Sequence, residues 1–212
     1  MNSTAFLLLA LTLAVAMADW WAVGTGHKIA EYVAKPLTMV MLIAVALSLD
    51  VTSEAVLLAF VAALLFSLLG DVFLMLPGEQ WFVFGLGAFL FGHIAYIVGL
   101  VLRGMTPGAF VVGLVVVGLA VLVIGWKILR SVRDSDTPEL AVPVTAYIGV
   151  ISLMVACAVG TLNPFAIVGG VLFYTSDALI AWNRFVQTYP WGRVAIMITY
   201  HLGQMGLVLS LI

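Results

Sequence analysis

Long apolar runs alternate along this chain with short clusters of glycine, proline and charged residues. A bilayer-spanning helix needs about 20 largely apolar residues. Eight such segments can be placed, at 5–20, 35–49, 55–76, 81–102, 108–126, 140–159, 164–182 and 193–211. The breaks "GTGHK", "DVTSE", "LPGEQ", "RGMTPG", "RDSDTPE", "LNP" and "NRFVQTYPWG" carry turn chemistry. The pattern predicts an all-α polytopic membrane protein, with residues 1–212 forming one domain of eight transmembrane helices. "AMA" before Asp19 resembles a signal-peptide cleavage site, but no Lys or Arg precedes it, so a retained helix is expected.

Composition supports this reading. The chain is 65% hydrophobic and 8% charged, with a mean hydropathy of +1.25, far more apolar than a soluble core of this size requires. Scattered basic residues and a net charge of −2 leave no nucleic-acid footprint. The lone Cys157 supplies neither a disulfide framework nor a thiolate cluster. With short tails and no soluble domain, the activity is expected in or at the bilayer, and the oligomeric state is left open.

Charge sets the expected orientation. One set of loops holds Lys28, Lys35, Lys127, Arg130, Arg133, Arg184 and Arg193; the other, with both termini, holds Arg103 alone. The basic side is therefore expected in the cytoplasm and both termini outside it, in a membrane of the bacterial inner type. Trp20, Trp21, Trp81, Trp126, Trp182 and Trp191 fall on that same basic side, as an interfacial belt would.

The two halves of the chain also resemble each other. Asp177 follows Asp71 by 106 residues, half of 212, and the same offset brings Lys35-Pro36 near Val142-Pro143 and His93 near His201. This register predicts repeat halves at about 1–106 and 107–212. Four helices per half would make them parallel, related by a pseudo-twofold axis along the membrane normal.

Asp71 and Asp177 are the strongest candidates for chemistry, because a carboxylate at a helix centre costs roughly 2.5–3.5 kcal/mol on the insertion scale. Counted inward from the basic end, Asp71, Asp177, Tyr147, His201 and His93 form a layer roughly 8–12 Å deep. Lys35, Asn183 and Arg184 cap it, which predicts one polar chamber. Plainer roles compete for its members. A helical histidine often satisfies a backbone carbonyl, Lys35 can snorkel, Tyr96, Tyr147 and Tyr200 can pack with wet hydroxyls, and Gln204 can be interhelical glue.

The segments "KPL" at 35–37, "LLGDVFLM" at 68–75, "FGLGAFLFGHIAY" at 84–96, "GGVLFYTSDALIAWNRF" at 169–185 and "YHLGQ" at 200–204 together resemble the YhhN family of membrane proteins, which includes the vertebrate lysoplasmalogenases. The resemblance implies eight helices and hydrolysis of the vinyl ether of a lysoplasmalogen, giving a fatty aldehyde and glycerophosphocholine or glycerophosphoethanolamine. The positions it carries over are Lys35, Asp71, His93, Tyr96, Ser176, Asp177, Tyr200 and Gln204. The implied partners are a lysophospholipid and the bilayer, with no cofactor.

One protonated and one ionised carboxyl can hydrolyse a vinyl ether, as a glycosidase pair handles its oxocarbenium-like transition state. Apolar neighbours of Asp71 favour it as the acid, and Tyr174, Thr175 and Ser176 near Asp177 favour that carboxylate as the base. Two other readings compete. His93, His201 and an aspartate could ligate zinc in a membrane lipid hydrolase. Alternatively, the aspartates could relay protons in a small transporter; Gly85, Gly87 and Gly92 would serve the broken helix this needs, but Pro36, Pro143 and Pro164 lie near helix starts and speak against it.

Overall fold

The computed structural model describes residues 2–212, and its regular structure there is helical. Eight long helices follow one another: α1 (Ser3–Thr25), α2 (Lys28–Ser48), α3 (Glu54–Met75), α4 (Glu79–Arg103), α5 (Pro107–Arg133), α6 (Ala141–Gly160), α7 (Pro164–Phe185) and α8 (Gly192–Leu209). The first seven are long and apolar enough to cross a membrane. In α8, Arg193, Tyr200, His201 and Gln204 interrupt the apolar pattern. Asn2, Ser53 and Asn163 accept backbone N–H bonds at the starts of α1, α3 and α7. Gly26, at φ 73°, ends α1 in the left-handed conformation that glycine adopts without steric cost.

Two boundaries differ from the sequence expectation. α2 begins at Lys28, so Pro36 lies inside the helix and not near its start. The proline has no N–H for the Tyr32 carbonyl, and Tyr32 is exposed. α5 continues to Arg133 through one π-helical turn, Val121–Gly125, so Lys127, Arg130 and Arg133 ride on its last turns and not on a loop. The basic residues of that segment thus project from an ordered helix end.

Successive helices pair as α1/α2, α3/α4, α5/α6 and α7/α8. α2 packs on α3, α6 on α7, α4 on α6, and α8 on α1 and α2. Short connections bring the C-terminal ends of α1, α3, α5 and α7 together with the N-terminal ends of their successors, at the basic end of the bundle. Large apolar side chains cover much of the outside, among them Leu122 (71% exposed), Val123 (73%) and Val142 (78%). Lys35, Asp71, His93, His201 and Gln204 are buried. An apolar surface around a polar interior suits a protein whose solvent is hydrocarbon.

The closest helix contacts are made by glycine. A Cβ on Gly169 of α7 would lie 2.5 Å from the Leu207 nitrogen and 2.8 Å from the Gly203 oxygen of α8. Gly85 and Gly92 play the corresponding part in α4, giving room to Leu74 and to the Ala63 carbonyl of α3. α4 is therefore unbroken, and two of the glycines expected to interrupt it serve packing.

Gly169→Val should destabilise the protein by about 1–3 kcal/mol, since backbone cannot move aside as a flexible side chain can. Thermal unfolding in detergent should show the loss beside Gly87→Val, where an added Cβ meets nothing within 4 Å. Equal midpoints for the two variants would refute the packing account.

Candidate functional site

Two hydrogen-bonded carboxylate clusters occupy the basic half of the bundle. On α3, Asp71 is 1% exposed. Its Oδ1 lies 3.2 Å from the Lys35 Nζ of α2, and its Oδ2 accepts the Tyr200 hydroxyl of α8 at 2.7 Å. On α7, Asp177 Oδ2 accepts the Tyr147 hydroxyl of α6 at 2.5 Å and lies 3.1 Å from His93 Nε2 of α4. His93 Nε2 is also 2.9 Å from the Tyr147 oxygen. With the tyrosine hydroxyl donating to the carboxylate, the imidazole serves both oxygens as donor, so its Nε2 carries a proton. Both contacts fall on Oδ2 of Asp177, which leaves Oδ1 without a protein donor.

Aromatic rings divide the polar layer that the sequence predicts as one chamber. Phe173 packs edge-on against His93 (4.7 Å between centroids) and Tyr200 (5.4 Å), and Phe89 packs against Tyr200 (5.8 Å). Phe89 also crosses Gly70, where a Cβ would meet its ring at 2.6 Å. The glycine before Asp71 therefore makes room for the ring that packs on Tyr200, the hydroxyl donor to Asp71.

An apolar slot with a cavity volume of about 60 Å³ lies between α4, α5, α6 and α7, with Phe89, Ile128, Val144 and Ile151 in its walls. Asp177 and Tyr147 line it; Asp71 does not. The π-helical turn of α5 contributes Ile124 and Gly125. Leu74 and Phe82 also border a second, polar cavity at the basic end, lined by Gly78, Glu79 and Arg184. There Arg184 Nη2 contacts both Glu79 oxygens at 2.5 and 2.6 Å, while its guanidinium lies 3.8 Å above the Phe82 ring.

The remaining candidates fall around these clusters. Tyr96 donates to Gln204 Oε1 at 2.5 Å, joining α4 to α8. Ser176 donates to the Ile196 carbonyl at 3.1 Å, joining α7 to α8. Asn183 accepts from the Tyr189 N–H and shapes the connection before α8. His201 Nδ1 accepts from the Trp20 indole at 3.1 Å; an indole can only donate, so the histidine proton is on Nε2.

Two acidic residues escaped the sequence reading. Asp19 is fully buried, and neither of its oxygens has a hydrogen-bond partner among the described residues. Ending the first helix at residue 20 set Asp19 at an interface; α1 continues to Thr25 and draws it inside. Glu79 was read as part of a turn, whereas it opens α4 at the polar cavity. A charge adjoining an apolar run at the basic end was the available signal for both.

The zinc arrangement would need His93 and His201 on one ion. The first is engaged by Asp177 and Tyr147, the second by Trp20, and no three His, Cys, Asp or Glu side chains among the described residues converge as ligands.

Comparison with known proteins adds the lineage. The YhhN family matches residues 30–211, so the chain belongs to that family. It is 36% identical over 171 residues to a protein of Mycobacterium tuberculosis named lysoplasmalogenase, covering 76% of this chain and 62% of the relative. It is 30% identical over 148 residues to human lysoplasmalogenase TMEM86B, covering 70% and 61%, and 33% identical over 154 residues to human lysoplasmalogenase TMEM86A, covering 69% and 62%. The matched region thus spans about three fifths of each of these relatives. No solved structure matches the chain.

The Lys35–Asp71 pair yields a stability test. Lys35→Met leaves the buried carboxylate without its cation and should cost about 3–5 kcal/mol. Adding Asp71→Asn should recover most of that loss, because the neutral amide needs no counter-charge. The double-mutant cycle is read from unfolding midpoints in detergent, and strictly additive effects would show that the two residues do not act as a pair.

Proposed function

We propose that this YhhN-family chain is a lysoplasmalogenase-like membrane hydrolase that cleaves the vinyl ether of a single-chain phospholipid. One observation carries the reading: Asp177 and Tyr147, bonded to each other, line a largely apolar slot that adjoins a charged cavity at the basic end. That sequence of apolar wall, carboxyl and charged mouth matches the chain, ether and head group of a lysolipid. The names of the mycobacterial and human relatives support the same substrate class.

The reaction adds water across the vinyl ether. Asp177 Oδ1 delivers a proton to the β-carbon, and the α-carbon and ether oxygen share the resulting positive charge. Tyr147 and His93 stabilise the new Asp177 carboxylate at Oδ2. Water adds to the α-carbon and returns a proton to a carboxylate. The hemiacetal then splits, its hydroxyl becoming the aldehyde and the glycerol oxygen leaving with a proton. Asp71 is held by Lys35 and Tyr200, and a negative charge there would favour the oxocarbenium ion. This assignment reverses the one drawn from sequence neighbours, because the Lys35 ammonium bonds Asp71, whereas Asp177 meets Tyr147 and His93 and lines the slot. His201, Tyr96, Ser176, Gln204 and Asn183 position the helices around the site, and Arg184 takes the phosphate.

Two further features belong to this proposal. The domain consists of two parallel four-helix repeats meeting at residues 104–106. Supporting this, α4 packs on α6 as α8 packs on α2. Asp71 is bonded from α2 and α8, and Asp177 from the corresponding α6 and α4. The eight helices all span a membrane of the bacterial inner type, with the basic end in the cytoplasm, because the seven-to-one division of Lys and Arg favours that side.

Purified protein given a 1-alkenyl lysophospholipid should release fatty aldehyde, and no release from any alkenyl lysolipid would overturn the hydrolase reading. Asp177→Asn should cut turnover by about 10²–10⁴-fold, since the amide cannot supply the proton. Asp71→Asn should also impair turnover, and testing it with Lys35→Met as well separates catalysis from folding. A C-terminal reporter active only in the cytoplasm should stay silent; a signal would reverse the orientation.

A further inference from the structure

The charged cavity beside the slot holds both signs of charge, and a bare phosphate calls for one. We infer that Glu79 and Arg184 form a clamp for a zwitterionic head group: Arg184 takes the phosphate and Glu79 takes the cationic amine of ethanolamine or choline. The inference rests on the proposed lysolipid site and adds a residue that selects the head group.

Spacing supports the clamp. Arg184 follows Asp177 by seven residues on α7, two helical turns, so both project from nearly the same face about 10 Å apart along the axis. In a glycerophosphoethanolamine, nine bonds separate the ether oxygen from the amine nitrogen, spanning about 11 Å when extended, and the phosphorus lies between them. A lipid with its vinyl ether at Asp177 therefore brings its phosphate and amine to the level of Arg184 and Glu79.

The side chains are also prepared for both charges. Arg184 gives Glu79 contacts from Nη2 alone, leaving Nε and Nη1 donors for a phosphate oxygen. Its position over Phe82 keeps the guanidinium at the cavity wall. Glu79 is half exposed and accepts one cation, so an ammonium can approach it from the open side. Glu79 begins α4 directly after Gly78, whose φ of 117° turns the chain toward the cavity in a conformation available to glycine. A phosphodiester and an ammonium docked beside the ion pair would form an alternating square of charges, with each group facing its opposite.

The test is direct binding of radiolabelled 1-O-alkyl lysolipids, whose saturated ether cannot react, to the full chain in detergent. Three head groups are compared: phosphoethanolamine, phosphocholine and phosphopropanol, the last a phosphodiester of the same charge without an amine. The parent should bind the two amine-bearing lipids about tenfold more tightly than the phosphopropanol lipid, as expected for one charge-assisted contact. Glu79→Gln should abolish that preference while binding the phosphopropanol lipid at least as well as the parent does. Arg184→Gln should weaken all three. No preference in the parent, or an equal loss for all three lipids in Glu79→Gln, would overturn the clamp. Because binding is measured without turnover, a chain that prefers amine heads yet releases no aldehyde from alkenyl lipids keeps the clamp and loses the hydrolase reading.

Discussion

A carboxylate in hydrocarbon must find its donors inside the protein, and the architecture of this bundle follows that demand. Asp71 on α3 is satisfied from α2 and α8, and Asp177 on α7 from α6 and α4. Six of the eight helices thus meet at two side chains. Such pairing is a poor source of net stability, since desolvation offsets much of the attraction. Its effect is to make any arrangement that separates these helices costly, because a lone buried charge would remain.

Close packing brings the donors within reach. α7 lies against α8 at a separation that a Cβ on Gly169 or Gly203 would not allow, and α3 lies against α4 where a Cβ on Gly85 or Gly92 would press on Leu74 or the Ala63 carbonyl. Aromatic rings then fill the centre, with Phe173 touching His93 and Tyr200 and Phe89 crossing Gly70. Two aspartates that look equivalent in the chain end in unlike surroundings. Asp71 is buried and tied to a cation, whereas Asp177 has one oxygen anchored and opens on a cavity. An acid–base mechanism exploits that kind of difference, and a symmetric pair would have to generate it by sharing a proton.

The slot has a related origin. α5 packs mainly against α6 and presents its remaining surface outward, so α4, α5, α6 and α7 leave room between them. The π-helical turn of α5 sits at that wall, a position where such turns are frequent beside functional sites. At the basic end, the α3–α4 connection and the last turn of α7 place Glu79 against Arg184, charging the mouth of an apolar cavity.

The sequence by itself determined the all-helical membrane class and the eight segments, and it singled out Asp71 and Asp177 as carboxyls inside apolar helices, because hydropathy and the cost of intramembrane charge are local properties. It also marked His93, Tyr147, Tyr200 and Lys35 by depth, though depth along a helix does not say which way a side chain faces. Helix ends were its weakest point. A charge at the last turn reads as interfacial until packing shows the helix continuing, and so Asp19 and Pro36 were misplaced while Glu79 was passed over. Only the tertiary structure decided that Lys35 pairs with Asp71 and Tyr147 with Asp177, that His201 turns to Trp20, and that Phe89 divides the polar layer. Those outcomes depend on helix rotation and on contacts between residues as much as 181 positions apart, and no periodicity along the chain encodes them.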